Sequence, residues 1–146
     1  MSFGNIQCRI AEALCVLPFF LPVTTWGLFV GCVLANLLGP NGMLDVLLGS
    51  LATLASCTCA AALGRGDRGM GRCVAACAMP VVWNGVVIGG MLAWISQPLP
   101  SQFPLLVAVY GGEVALGEAI VMFALGLPLM RWLQKGDRLA RFGIGA

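Results

Sequence analysis

The chain has 146 residues, of which 60% are apolar and 10% charged, with 8 Lys and Arg against 6 Asp and Glu for a net charge of +2. Its mean hydropathy is +0.95, whereas about a quarter of the residues in a soluble domain are charged, so a water-soluble enzyme is nearly excluded. Residues 13–44, 46–64 and 73–112 carry no charge, while Arg65, Asp67, Arg68 and Arg72 crowd one loop and Arg131 to Arg141 crowd the tail. This is the distribution of an all-α, polytopic helical membrane protein. At roughly 20 apolar residues per span, the length allows one integral membrane domain of about five spans, covering residues 1–146.

The first helical stretch is expected over about residues 7–20, where Pro18 and Pro22 remove backbone donors and stop it, and it is too short to cross a bilayer alone. A second helix, about 23–38, carries Gly27, Gly31 and Ala35 at the four-residue spacing that lets helices approach closely in lipid. Gly39-Pro40-Asn41-Gly42 then makes a tight turn. The third helix, 43–63, is about 31 Å long at 1.5 Å per residue, enough for a hydrocarbon core of about 30 Å. A fourth is expected over 72–95, with Pro80 as a kink and Gly85 and Gly89 as a second close-packing pair. The loop from Ser96 to Gln102 holds Pro98 and Pro100 and cannot remain helical. A long last helix over 103–134 leads to a basic tail, 135–146.

Lys and Arg in short loops set membrane orientation. The Gly64 to Gly71 loop with Arg72 at its border, and the tail with Arg131, Lys135, Arg138 and Arg141, are separated by two spans, so both are expected on the cytoplasmic side. The turn at Gly39 to Gly42 and the loop at Ser96 to Gln102 then face outside, and so does Ser2 to Gln7 if the short first helix descends to meet the second. An outward N-terminus without a preceding span suggests that a helix that would normally come first is missing.

Single residue types exclude more. Without histidine, the commonest general base and metal ligand are both lacking, which argues against a metalloenzyme or a His-based hydrolase. The seven cysteines (8, 15, 32, 57, 59, 73 and 77) lie mostly in the charge-free runs and lack paired C-x2-C spacing, so they read as small apolar packing residues rather than zinc ligands or disulfides. The positive charge flanks the spans, which makes it an orientation signal and no case for nucleic acid. No basic segment followed by a clean apolar core marks a cleavable signal peptide. No metal or cofactor is expected.

An ionisable group inside a span costs about 2.5–3.5 kcal/mol on insertion scales, so each one needs a reason. The candidates are Arg9, Glu12, Asn36, Asp45, Asn84, Glu113 and Glu118. Arg9, Glu12, Asn36 and Asp45 fall near the outer ends of their helices, Asn84 is about 16 Å and Glu113 about 14 Å below the outer loop, and Glu118 is deeper. Nearly all can line one cavity open to the outside. The plainer readings are an Arg9–Glu12 ion pair three residues apart, Asn36 and Asp45 as caps of a turn, and Asn84 in an interhelical hydrogen bond. Glu113 is rotated roughly 140° from Glu118 on an ideal helix, and Glu118 is the preferred ligand acid. A membrane enzyme would need a catalytic motif beside these acids, and none accompanies them. A helix-packing protein would explain the glycines but not the clustered acids.

The run from Ser2-Phe3-Gly4-Asn5-Ile6-Gln7 through Arg9 and Glu12, then Leu17-Pro18-Phe19-Phe20, Gly27 to Cys32 with Leu34 to Leu37, and Leu44-Asp45 through Leu54 resembles the QueT family of queuosine-precursor transporters. The likeness continues through Val82-Trp83-Asn84-Gly85, Leu116-Gly117-Glu118-Ala119 and Leu125 to Leu129, covering nearly the whole chain. The resemblance implies a bacterial plasma-membrane S component, the substrate-binding subunit of an energy-coupling factor (ECF) transporter. Its partners would be the ECF transmembrane scaffold subunit, two ATPase subunits and the lipid bilayer. Its ligand would be a 7-deazaguanine such as preQ1, preQ0 or queuine, held by residues among Arg9, Glu12, Asn36, Asp45, Asn84 and Glu118. A different vitamin-like metabolite is the nearest alternative cargo. Family members normally begin with one more helix, whose small residues help to dock the scaffold; here Met1 directly precedes the Ser-Phe-Gly stretch, so that helix is expected to be missing.

Overall fold

The computed structural model describes residues 10–38, 43–66, 68–96 and 99–135. The expected Gly39–Gly42 turn, the residues before Ile10 and the tail beyond Lys135 lie outside the described residues. Among those described, every regular element is helical. A 3-10 segment, Ile10–Phe19, comes first, followed by α1 (Thr24–Leu37), α2 (Met43–Leu63), α3 (Met70–Ile95) and α4 (Phe103–Val121). A π turn, Met122–Gly126, then joins α4 to α5 (Leu127–Gln134).

Among the described residues, three apolar helical stretches are long enough to cross a membrane: Met43–Leu63, Met70–Ile95 and the continuous rod Phe103–Gln134. The fold is thus the expected all-α membrane bundle of about five helical elements, of which three are, among the described residues, long enough to cross alone. The first stretch is a ten-residue 3-10 coil, about 20 Å long at 2 Å per residue. With 14 residues, α1 reaches about 21 Å. The surface is apolar where a soluble protein's would be polar, with Trp94 74% and Leu38 91% exposed, which is the side-chain distribution expected toward lipid.

The four long elements stand in a row, α1 against α2, α2 against α3 and α3 against α4, and the 3-10 segment packs against every one of them as well as the π turn and α5. It is therefore the inner element around which the others are arranged. Its residues Ala13, Cys15, Val16, Pro18 and Phe19 are buried. Long 3-10 runs are uncommon because their hydrogen bonds are poorly aligned; enclosure by neighbours is what makes this one tenable. Gly64 after α2 admits it, since a Cβ there would overlap the Phe19 carbonyl. Val16, Phe19, Phe20, Cys77, Met122 and Met130 form the centre of the apolar core at this end.

The α3–α4 contact is tighter still. A Cβ on Gly89 would fall into the Gly111 backbone, one on Gly111 would lie 2.8 Å from the Gly85 carbonyl, and one on Gly85 would lie 3.2 Å from the Ala115 Cβ. This is the close approach expected of Gly85 and Gly89. The identical spacing in α1 behaves differently: Gly27 and Gly31 have nothing within 4 Å of a built Cβ, so among the described residues they meet no partner helix. Composition permits close packing, but a neighbour must also be present.

Two backbone details depart from expectation. Gly69 in extended conformation begins α3 at Met70 rather than at Arg72. In the last rod, the Leu127 N–H reaches back five residues to the Met122 carbonyl. Pro128, having no N–H, leaves the Ala124 carbonyl without its usual α-helical donor, and the helix widens there. At the same end Gln134 Nε2 donates to the Arg68 carbonyl at 3.0 Å and to Cys73 Sγ at 3.3 Å, and the Arg68 guanidinium stands 5.7 Å above the Phe20 ring. The basic loop and the end of α5 thus occupy one end of the bundle.

The two glycine pairs predict opposite responses. Gly89→Ala should lower stability in detergent by about 1–3 kcal/mol through overpacking, whereas Gly27→Ala should be neutral or raise it by roughly 0.5–1 kcal/mol through helix propensity. Thermal unfolding of both purified variants checks this; equal losses would contradict the packing described.

Candidate functional site

Glycine contacts between α3 and α4 bring two of the expected polar residues together. Asn84 follows Pro80 by one turn on α3, and Glu118 follows Gly117 on α4; they are each 6% exposed. Asn84 Nδ2 donates to Glu118 Oε1 at 2.7 Å. With no bulk between the two backbones, an amide and a carboxylate reach each other directly, and a charge-assisted bond of this kind is among the stronger polar contacts in a low-dielectric interior. Glu113, five residues earlier on α4, is only half-buried.

A second pair forms between α1 and α2. Asn36, 3% exposed, and Asp45, 4% exposed, flank the turn in sequence, and Asn36 Nδ2 donates to the Asp45 backbone carbonyl at 3.1 Å. The same amide lies 3.4 Å from Cys32 Sγ, toward which Thr53 Oγ1 also points at 3.3 Å. Gly49 leaves the room: a Cβ there would stand 2.9 Å from Asn36 Nδ2, 3.3 Å from Asp45 Oδ1 and 3.8 Å from Ile88 Cδ1. Because Ile88 is one turn from Asn84 on α3, Gly49 is where the two polar pairs come nearest in the contacts described. The Asn36 amide is thus already engaged in joining α1 to α2.

Glu12 occupies the first turn of the central 3-10 segment and is 9% exposed. It accepts a hydrogen bond from Cys15 Sγ at 3.3 Å. Arg9 lies outside the described residues, so the expected Arg9–Glu12 pair does too. Five of the six expected site residues are therefore described, and all five are buried, Glu12 on the central segment and the other four on elements that touch it. Sequence reasoning passed over Cys15, Cys32 and Thr53, which complete these contacts. The spacing of three between Glu12 and Cys15 was the available signal, since i and i+3 share a face. Among the described residues no group of three or more His, Cys, Asp or Glu side chains could hold a metal ion.

The bond between Asn84 and Glu118 should be energetically coupled. In a double-mutant cycle of Asn84→Leu and Glu118→Leu, each of which removes the bond outright, unfolding free energies should reveal a coupling of about 1.5–3 kcal/mol. Strict additivity would show that the contact contributes nothing.

The family model described as QueT transporter matches residues 1–135. Neither the curated proteins nor the solved structures gave a match.

Proposed function

The chain belongs to the QueT transporter family, and from that premise we propose that it is the substrate-binding S component of an ECF-type transporter that takes up a 7-deazaguanine precursor of queuosine. The transporter role follows from the family. The observation that supports the ligand class is the carboxylate of Glu118, deeply buried on an apolar membrane-spanning rod and oriented by Asn84. An intramembrane acid facing protein rather than lipid is a mark of a substrate or ion path.

A guanine-like edge offers adjacent N–H groups, which a carboxylate accepts in pairs, beside a carbonyl that needs a donor. Glu118 is suited to the N–H groups, and Glu12, on the inner segment, to a second donor or to the cationic arm of an aminomethyl base. Asn84 acts by holding Glu118 in place. Asn36 and Asp45 contribute through the α1–α2 junction, and Arg9 from the stretch before the central segment. The protein captures the ligand and does no chemistry on it. Two ATPase subunits and a transmembrane scaffold, in a bacterial plasma membrane, would supply the work that releases the ligand inward.

Replacing Glu118 by Gln keeps the size but turns one acceptor toward the ligand's donors into another donor. Since a charge-assisted hydrogen bond contributes about 1.5–3 kcal/mol, affinity for a 7-deazaguanine should fall at least about tenfold, while melting temperature changes little because a neutral amide is easier to hold in the membrane. Titration calorimetry and thermal unfolding on the same detergent-purified sample check both. Unchanged affinity removes Glu118 from the site; absence of binding by the wild type, or an unrelated metabolite found co-purified by mass spectrometry, overturns the cargo.

The basic end of the bundle is assigned to the cytoplasm by its charge. Arg65→Cys and Lys135→Cys, each in a background without the native cysteines, should both resist an impermeant thiol reagent added to sealed cells and both react after permeabilisation. Labelling of either from outside would reverse the orientation.

A further inference from the structure

Three hydroxyl side chains on α2 are buried: Ser50 at 2%, Thr53 at 4% and Ser56 at 1% exposure. Thr53 Oγ1 donates to the Gly49 carbonyl at 3.0 Å and Ser56 Oγ to the Thr53 carbonyl at 2.9 Å. Such back-bonding to the preceding turn is how Ser and Thr ordinarily satisfy themselves inside an apolar helix. Ser50 does not follow the pattern. Its Oγ is fully buried and makes no hydrogen bond. Buried hydroxyls without a partner are rare in folded proteins, because the group has given up water and received nothing in return.

The position of Ser50 explains what that partner is. It shares an inward strip of α2 with Val46, Thr53 and Cys57, all buried. One end of this strip meets the central segment, where the Cys57 thiol lies against that of Cys15, and Cys15 in turn bonds Glu12. The residue before Ser50, Gly49, faces Ile88 of α3. Asn84 is one turn from Ile88, so at about 1.5 Å per residue Ser50 lies within about 5 Å of the level of Asn84 along the bundle. Glu118 is bonded to Asn84 at that level. Ser50, Asn84 and Glu118 therefore lie near one level, contributed by α2, α3 and α4, and Glu12 of the central segment joins them along the same α2 strip through Cys15 and Cys57.

This set is rich in acceptors. Glu12 and Glu118 are carboxylates, and the Asn84 amide nitrogen already donates to Glu118. A guanine-type ligand matches the acids with its N–H groups, but its ring carbonyl needs a donor, and the Ser50 hydroxyl is a donor not spent within its own helix. We infer that Ser50 is a specificity-determining ligand contact whose hydroxyl donates to the ring carbonyl of the bound 7-deazaguanine; this rests on the proposed ligand class.

The test uses two probes, a 7-deazaguanine and its thiocarbonyl counterpart, which keeps the N–H groups but is a weaker acceptor. Both are titrated into the detergent-purified full chain, wild type, Ser50→Ala and Ser50→Thr. The wild type should prefer the carbonyl ligand. In Ser50→Ala the affinity for the carbonyl ligand should fall about tenfold and the preference should largely vanish, while the melting temperature without ligand holds or rises because an unsatisfied hydroxyl has been removed. Ser50→Thr, retaining the hydroxyl, should retain the preference. If Ser50→Ala binds both probes as the wild type does, Ser50 is not a ligand contact and the cargo assignment stands. If the wild type binds neither probe, the cargo assignment fails and takes this inference with it.

Discussion

The backbone-to-backbone contact between α3 and α4 is the constraint on which the candidate site depends. Gly85, Gly89 and Gly111 bring the two helices closer than any side chain would allow, and only at that separation does the short Asn84 side chain reach Glu118. In lipid there is little hydrophobic drive to press helices together, so van der Waals contact and interhelical hydrogen bonds must do it. Here both act at one crossing, the first setting the distance and the second using it. A residue chosen for having no side chain thereby determines where a charged one can be held.

The central 3-10 segment solves a related problem. A row of helices, each touching only the next, leaves an inner face that lipid cannot fill without exposing polar groups to hydrocarbon. The segment from Ile10 to Phe19 fills that face at the basic end, packing through Val16 and Phe19, and carries Glu12 on its first turn. Its apolar half therefore belongs to the core and its polar half to the site, so binding and packing share one short stretch of chain.

Much of this was legible in the sequence. Sparse charge and long apolar runs locate the spans, and the expected 43–63 and 103–134 helices coincide with Met43–Leu63 and the rod Phe103–Gln134, because the Gly- and Pro-rich turns before them and the charged segments after them act locally. The 3-10 form of the first stretch was not legible, since it depends on enclosure by elements far away in the chain. Nor was the difference between the two small-residue stripes: Gly27 and Gly31 read just like Gly85 and Gly89, and only topology says which has a neighbour. Asn84 and Glu118 each stood out as polar in an apolar run, but their pairing across 34 positions needed the α3–α4 crossing. For Asn36 the sequence allows both a cavity residue and a partner of Asp45 across the turn, and its amide is on the Asp45 carbonyl, so the second reading describes at least part of what it does.

The π turn at Met122–Gly126 has a consequence for how this chain can change length. A π turn is equivalent to one residue added to an α-helix. Deleting a single residue within it would leave the composition, the apolar run and the hydropathy profile almost untouched. Because the turn would then close to regular α geometry, the flanking parts would keep their register, Gly126 and Met130 at the Val16 core and Glu118 at Asn84, whereas the same deletion elsewhere in the rod would rotate one part against the other by about 100°. The rod can therefore shorten by one residue most easily here, with its core face and its site face still aligned, a tolerance that no profile of oiliness would reveal and that the longer apolar stretches around Met122–Gly126 do not share.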